Sequence, residues 1–282
     1  MTISGKAKIA GVIGWPIGHS LSPALHGFWI GQHQLDAAYV PFAVRPEDFT
    51  RVVGLMPAQG LRGANVTLPH KEAAYLLCDE RDEAAVATGA VNTLVFEGGR
   101  VLGRNTDVFG FTEALREDGV GDLSGKKAVV LGAGGAARAI VFALLSMGVA
   151  RVVVVNRTIA KAQSLAVFFG AHVEAQAWEN VSSCLADCDV LVNTTSLGMK
   201  GQPDLQLDLG KLKSGAVVSD IVYRPLETNL LQQAKARGHR IVGGLGMLLH
   251  QARPGFAAWF GVEPQVSPAL RAHLVSVLEG RA

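Results

Sequence analysis

The chain is poor in the residues that build metal and redox centres. Its three cysteines, Cys78, Cys184 and Cys188, form no Cys-x-x-Cys pair and no zinc spacing, so they read as buried or idle thiols. The eight histidines are scattered and no His-Glu-x-x-His helix is present, so no metal is expected. An excess of one charge is missing too. The 26 Lys and Arg against 24 Asp and Glu leave a net charge of +2 with no dense basic stripe, which sets nucleic-acid partners aside. Long apolar runs are also lacking. The uncharged stretch from Ala139 to Ala150 is bounded by Arg138 and Arg151 and is too short to span a bilayer, so it reads as a buried helix. The apolar patch from Ile9 to Ile17 is broken by Gly11, Gly14 and Pro16 and is followed by no cleavage pattern, so no membrane association is expected and the compartment expected is the cytoplasm.

What is present is enough for two packed domains: 282 residues, 49% of them hydrophobic and only 18% charged. β-rich and helical segments alternate from the start. Ala7–Ile13, Ala38–Val44 and Gly63–Thr67 read as strands, and helices are expected over Pro23–Gln32, Glu47–Met56 and from about His70. Val91–Phe96 and Arg100–Gly103 read as a hairpin about Gly98-Gly99, followed by a helix over Phe109–Asp118. The alternation predicts a mostly parallel sheet. A turn-rich linker, Glu117 to Gly125, precedes a second cycle of six strands, beginning at Lys127, Val152, His172, Val190, Val217 and Arg240, whose number suits a Rossmann sheet. Helices over Met247–Phe260 and Pro268–Leu278 are expected to pack back on the first domain.

The strand Lys127–Leu131 runs directly into Gly132-Ala133-Gly134-Gly135-Ala136-Ala137, and a helical segment follows. In that setting Gly132 permits the tight turn, Gly134 lets a pyrophosphate approach the backbone, and Ala137 keeps helix and strand close, so Gly132 to Ala136 are expected to hold a dinucleotide. The end of the next strand selects which one. NAD enzymes place an Asp or Glu there for the ribose 2′-hydroxyl, whereas here Asn156-Arg157-Thr158 follows Val155, with Lys161 one turn on. A guanidinium, a hydroxyl and an ammonium suit a 2′-phosphate, so NADP is the cofactor expected.

Four polar segments mark the first domain: His19-Ser20-Leu21-Ser22-Pro23, Asn65 to Lys71, Gly89 to Thr93, and Gly103 to Asp107. Taken singly each has an ordinary explanation. Ser22 suits a cap for a helix starting at Pro23, Thr67 a cap for one near Pro69, Asp107 a cap for the Phe109 helix, and Lys71 a solvated helix position.

Together, and in this order along the chain, Ser-Leu-Ser-Pro, Asn-Val-Thr-Leu-Pro-His-Lys, Gly-Ala-Val-Asn-Thr and Gly-Arg-Asn-Thr-Asp resemble the shikimate dehydrogenase family. The resemblance continues through Gly132–Ala137, Asn156–Thr158, Asn193–Met199, Asp220–Tyr223 and Gly244–Gln251, and so spans nearly the whole chain. It implies an α/β protein of two domains with a cleft between them. Residues 1–107, joined by the C-terminal helices 247–282, would form the substrate domain, and residues 108–246 the NADP-binding Rossmann domain. The implied reaction is the reversible NADPH-dependent reduction of 3-dehydroshikimate to shikimate in aromatic amino acid biosynthesis. On the same resemblance Lys71 and Asp107 are the catalytic pair, Ser20, Ser22, Thr67, Asn92 and Gln251 hold substrate, and Tyr223 contacts its carboxylate. Thr195 and Gly244 lie with the cofactor, and Met247 lies against the nicotinamide.

The chemistry is consistent with those assignments. Hydride addition to a ketone makes an alkoxide that must be protonated as it forms, and an ammonium at Lys71 can supply the proton; Asp107 is assigned a hydrogen-bonding and orienting role, and the route of the proton between the two stays open. A polyhydroxylated acid needs several neutral donors and acceptors, and Ser20, Ser22, Thr67, Asn92 and Gln251 provide them. His19, His70 and His250 are expected to pack or bond the backbone. Two rivals remain: a quinate/shikimate dehydrogenase using NAD, opposed by the missing acid after Val155, and a non-catalytic NADP-binding sensor, opposed by the presence of both Lys71 and Asp107. The partner expected is a small molecule, and the working form a monomer or a homodimer.

Overall fold

Runs of β-branched and small apolar residues separated by turn-formers build two sheets. The computed structural model describes residues 3–281. In chain order the first elements are β1 (Lys8–Gly14), α1 (Ser22–Gln32), β2 (Ala37–Ala43), α2 (Phe49–Leu55), β3 (Leu61–Val66), α3 (Lys71–Leu77), β4 (Glu80–Arg81), α4 (Glu83–Thr88), β5 (Thr93–Glu97) and β6 (Arg100–Arg104). Their strands lie in the order β2-β1-β3-β5-β6-β4. Three of its five strand pairings are parallel, as the alternation of strands and helices predicts, and the two made by β5 are antiparallel. β1 runs parallel to β2 and β3, but β5 is antiparallel to both β3 and β6. The β5–β6 reversal is the hairpin expected from the sequence: Gly98 (φ 58°) and Gly99 (φ 78°) both take the left-handed conformation that a two-residue turn requires. The short β4 and α4 have no counterpart in the sequence reading, because neither is long enough to show a period.

The next elements are α5 (Asp107–Glu117), β7 (Lys127–Leu131), α6 (Gly135–Ser146), β8 (Arg151–Asn156), α7 (Ile159–Phe169), β9 (Val173–Ala177), α8 (Val181–Cys184), β10 (Val190–Asn193), β11 (Val217–Asp220), α9 (Asn229–Ala236), β12 (Arg240–Gly243), α10 (Gly244–Phe260) and α11 (Pro268–Leu278). All five strand pairings in this sheet are parallel, in the order β12-β11-β10-β7-β8-β9. That is a doubly wound sheet whose order reverses between β7 and β10, the point where such sheets bind ligands. Val129, Val130, Val153, Val154, Leu191 and Val192 are buried on both faces, as a sheet covered by helices on each side demands.

The chain divides into two compact units. One ends at Thr106 and resumes at Gln251, and the other is Asp107–His250. The sequence reading drew these limits at 107 and 247. α5 begins at Asp107, and the second division falls within α10, which runs from Gly244 to Phe260. From Gln251 onward α10 belongs with the first sheet. There the Trp259 indole donates to the Leu94 carbonyl at 2.9 Å and the Trp29 indole to that of Gln265 at 3.0 Å. Among the described residues no helix is long and apolar enough to cross a membrane.

Candidate active site and cofactor site

In the second unit, β7 ends on Leu131 and the chain turns at Gly132, whose φ of 104° only glycine adopts readily. A side chain there would also meet the Thr194 hydroxyl at 2.7 Å, because the loop after β10 closes against the turn. Gly132 N–H donates to the Val155 carbonyl at 2.8 Å, so the turn is tied to β8. Gly134 and Gly135 are different. A Cβ added at either would meet nothing within 4 Å, and both stand exposed at the start of α6, with no acidic residue in its first turn. Ala133 and Ala136 flank them half-buried, and Ala137 is fully buried. Open space beside unpaired helix N–H groups, at a sheet switch point, suits a pyrophosphate.

Beyond β8 the Asn156 amide donates to the Thr158 carbonyl at 2.9 Å and curls the loop, leaving Arg157, Thr158 and Lys161 exposed. No Asp or Glu occurs from Asn156 to Leu165. The loop after β10 is held by Asn193. Its Oδ1 accepts from the Thr195 N–H (3.0 Å) and hydroxyl (2.7 Å), and its amide donates to Asp220 (3.0 Å). Asp220 is fully buried, and burial raises its carboxyl above the usual range; hydrogen bonds from Thr228, Val222 and Asn193 oppose the shift. Gly244 begins α10 so close to Ile221 that a Cβ would sit 2.2 Å from its carbonyl oxygen. Met247 packs half-buried on the core of this unit. Tyr223 is half-buried, and burial pushes its phenol up against the opposing charge of Arg224.

In the first unit the structure removes the capping explanations for two residues. Ser22 is the first residue of α1, makes no cap and is buried, its N–H donating to the Ser20 hydroxyl at 3.3 Å. Thr67 does not cap α3 either. Its N–H donates to the Ile13 carbonyl and its own carbonyl accepts from His70, so the Thr67 side chain stands just beyond the ends of β1 and β3. His70 is buried, bonded to the Val44 carbonyl at 2.8 Å and stacked on Phe49, as expected of a packing histidine. His19 instead is exposed, and His250 bonds the Glu117 carboxylate rather than backbone, at 2.8 Å. Lys71 opens α3 half-buried, its carbonyl accepting from Val91 N–H at 2.9 Å. Asp107 opens α5, also half-buried.

Asn92 lies at the centre of a buried polar network. Its N–H donates to the Arg104 carbonyl (3.0 Å), its carbonyl accepts from Val66 (2.8 Å), and its Oδ1 accepts from the Thr106 N–H at 2.8 Å. Its amide donates to Gln251 Oε1 at 3.4 Å. Tyr39, Asn65, Thr93 and Thr106 complete the network and were not singled out from the sequence. Their signal was present. Each is a buried polar residue on or beside a strand, and three lie within the four polar segments.

Comparison with known proteins now bears on these two constellations. Residues 12–94 match the family model described as the shikimate dehydrogenase substrate binding domain, and residues 114–199 the model described as shikimate / quinate 5-dehydrogenase. The chain is 54% identical over 276 residues to a protein of Rhodospirillum rubrum named shikimate dehydrogenase (NADP(+)), covering 96% of this chain and 98% of that one. Shikimate 5-dehydrogenase of Thermus thermophilus, solved with NADP(H) and shikimate, superposes with a TM-score of 0.85 at 35% identity, covering 98% of this chain and all of that one. Quinate dehydrogenase of Corynebacterium glutamicum, solved with NAD, gives 0.89 at 31% identity and covers 96% of this chain and 99% of that one.

Proposed function

The chain belongs to the family of NADP-dependent shikimate dehydrogenases, and from that premise we infer that its reaction is the reversible, NADPH-dependent reduction of 3-dehydroshikimate to shikimate. The observation that carries the cofactor choice is the end of β8. There Arg157, Thr158 and Lys161 stand exposed and no carboxylate is present to repel a 2′-phosphate. Gly132 to Ala136 would hold the pyrophosphate, Asn156 to Thr158 with Lys161 the phosphorylated ribose, and Thr195, Gly244 and Met247 the nicotinamide end. Bound NADPH supplies the hydride.

The chain's own residues do the rest. Lys71 hands a proton to the carbonyl oxygen as it becomes an alkoxide, and in the reverse direction its neutral amine takes the hydroxyl proton. Asp107 orients that exchange. Ser20, Ser22, Thr67, Asn92 and Gln251 bind the hydroxyls and carboxylate of the substrate through neutral groups, and Tyr223 adds a hydroxyl for the carboxylate. In a site of this kind each unpaired substrate hydroxyl is costly, which makes the polar inventory a filter for polyhydroxylated acids. We place the enzyme in the cytoplasm, as a monomer or a homodimer.

The test is a four-way assay with shikimate or quinate and NADP or NAD. Turnover of shikimate with NADP should exceed that with NAD by at least about tenfold in kcat/KM, the factor one charge-assisted contact supplies, and should exceed turnover of quinate with either cofactor. Equal turnover with NAD, or a preference for quinate, would favour the quinate dehydrogenase reading instead.

A further inference from the structure

The network around Asn92 has a direction that can be worked out from its fixed members. An amide oxygen and nitrogen look alike in outline, so their assignment must come from partners whose role is not in doubt. Two backbone groups serve here. The Asn92 carbonyl only accepts, so the Asn65 atom facing it at 3.3 Å is Nδ2, and the Asn65 oxygen must then face Tyr39. The Tyr39 hydroxyl therefore donates, at 2.6 Å. The Thr106 N–H only donates, so the Asn92 atom facing it at 2.8 Å is Oδ1. The Thr93 hydroxyl, accepting from Asn65 Nδ2 at 3.0 Å, has its one proton left for Asn92 Oδ1 or for the Thr106 hydroxyl, each at 3.2 Å. The Thr106 hydroxyl directs its one proton to an amide oxygen as well, with Asn92 Oδ1 at 3.1 Å and Gln251 Oε1 at 3.5 Å. With its oxygen so engaged, Asn92 faces Gln251 with Nδ2, and this turns Gln251 Oε1 into the network at 3.4 Å.

The far end of this chain of donors is anchored in apolar packing. Tyr39 is buried and stacks on His26 with ring centroids 3.9 Å apart, and His26 in turn touches Trp29, Phe256 and Trp259. A ring held on that side has little freedom to swing its hydroxyl away from Asn65.

We propose that Tyr39 and Thr93 are positioning residues for substrate: by one directed hydrogen-bond chain they hold the amide oxygens of Asn92 and Gln251 inside the network, so that a substrate group meets these two amides at N–H. The class of group accepted there is an oxygen with a lone pair, a hydroxyl or carboxylate, and an ammonium in its place is rejected. The proposal rests on the reading of Asn92 and Gln251 as substrate-binding residues.

Steady-state kinetics with shikimate at saturating NADP test it, on Asn92→Ala, Tyr39→Phe, Thr93→Val, Thr93→Ser and the double variant Tyr39→Phe/Asn92→Ala. Tyr39→Phe and Thr93→Val should each raise KM for shikimate about fivefold to tenfold, the scale of one neutral hydrogen bond, with kcat within about twofold. Thr93→Ser should return KM to within about twofold of wild type, and Tyr39→Phe should add less than about twofold to the effect of Asn92→Ala, because it acts through that amide. NADP affinity should not change. If Asn92→Ala raises KM while folded Tyr39→Phe and Thr93→Val keep the wild-type value, even at a lower melting temperature, the relay is overturned and the substrate-binding reading stands. If Asn92→Ala itself leaves KM unchanged, that reading fails and takes the relay with it. Should Thr93→Val not fold, Tyr39→Phe and the double variant decide by the same criteria.

Discussion

His26 shows what burial does to a single side chain. Burial pushes its pKa from 6.5 down to about 3, and a weak interaction with the Asn65 side chain offsets this only in part. The fold therefore keeps His26 neutral at pH values where the unfolded chain takes up a proton. Between about 3 and 6.5 the unfolded state binds more protons than the native one, so stability falls as pH falls through that window. The loss from this residue between pH 7 and pH 5 should be about 2 kcal/mol. Denaturant titrations at the two pH values should show it, and a His26→Leu variant should lose that part of the pH dependence. Gly132 makes a prediction of the opposite kind, about backbone. Gly132→Ala forces a side chain onto the Thr194 hydroxyl at a φ of 104°, so it should destabilise the second unit by about 1–3 kcal/mol and weaken NADP binding. Lys71→Ala should instead leave NADP binding intact and lower kcat about 10²- to 10⁴-fold, as removal of a general acid does. Fluorescence titration with NADPH and turnover of shikimate separate the two.

At the scale of elements, much depends on single anchors. α4 is only six residues long and would not persist alone. Asp82 caps it by accepting from Ala85 N–H at 2.7 Å, and the same oxygen accepts from Asn105 N–H at 3.1 Å, which ties the cap to the end of β6. Asp82→Ala should cost about 1–2 kcal/mol in chemical denaturation and increase amide exchange over α4. A null result in both measurements would show that the cap is dispensable. α10 is anchored at its C-terminal half by Trp259, which fills the space left by Gly63 as well as bonding Leu94: a Cβ on Gly63 would lie 2.2 Å from the indole nitrogen. The sequence pattern gave helix and strand at these places but not their contact. Gly63 read as an ordinary strand residue, and its reason is a tryptophan nearly two hundred positions away.

For the molecule as a whole, cofactor binding and folding are linked. A ligand that binds only the native state stabilises it by mass action, about 2.7 kcal/mol at one hundred times its dissociation constant. NADP should therefore raise the melting temperature at concentrations where NAD does not, and the difference should shrink as salt screens Arg157 and Lys161, which are exposed. Replacing Arg157 and Lys161 together by Ala should bring the NADP and NAD shifts together. Equal shifts in the unmodified protein would remove the 2′-phosphate from the account.

The sequence by itself determined the second unit almost completely. Its six parallel strands, the Gly132 turn and the carboxylate-free end of β8 are local patterns, each fixed by residues adjacent in the chain, and local patterns are legible without a fold. The first unit was legible as motifs. Ser20, Ser22, Thr67, Lys71, Asn92 and Asp107 stand out by their place in a series. Only the tertiary structure decided that β5 lies between β3 and β6, that Ser22 and Thr67 are not caps, and that Tyr39, Asn65, Thr93 and Thr106 join Asn92 and Gln251 in one hydrogen-bond network. Those facts are pairings between strands and helices distant in sequence. A hydrogen-bond direction passed through five side chains leaves no period, spacing or composition for a sequence to display.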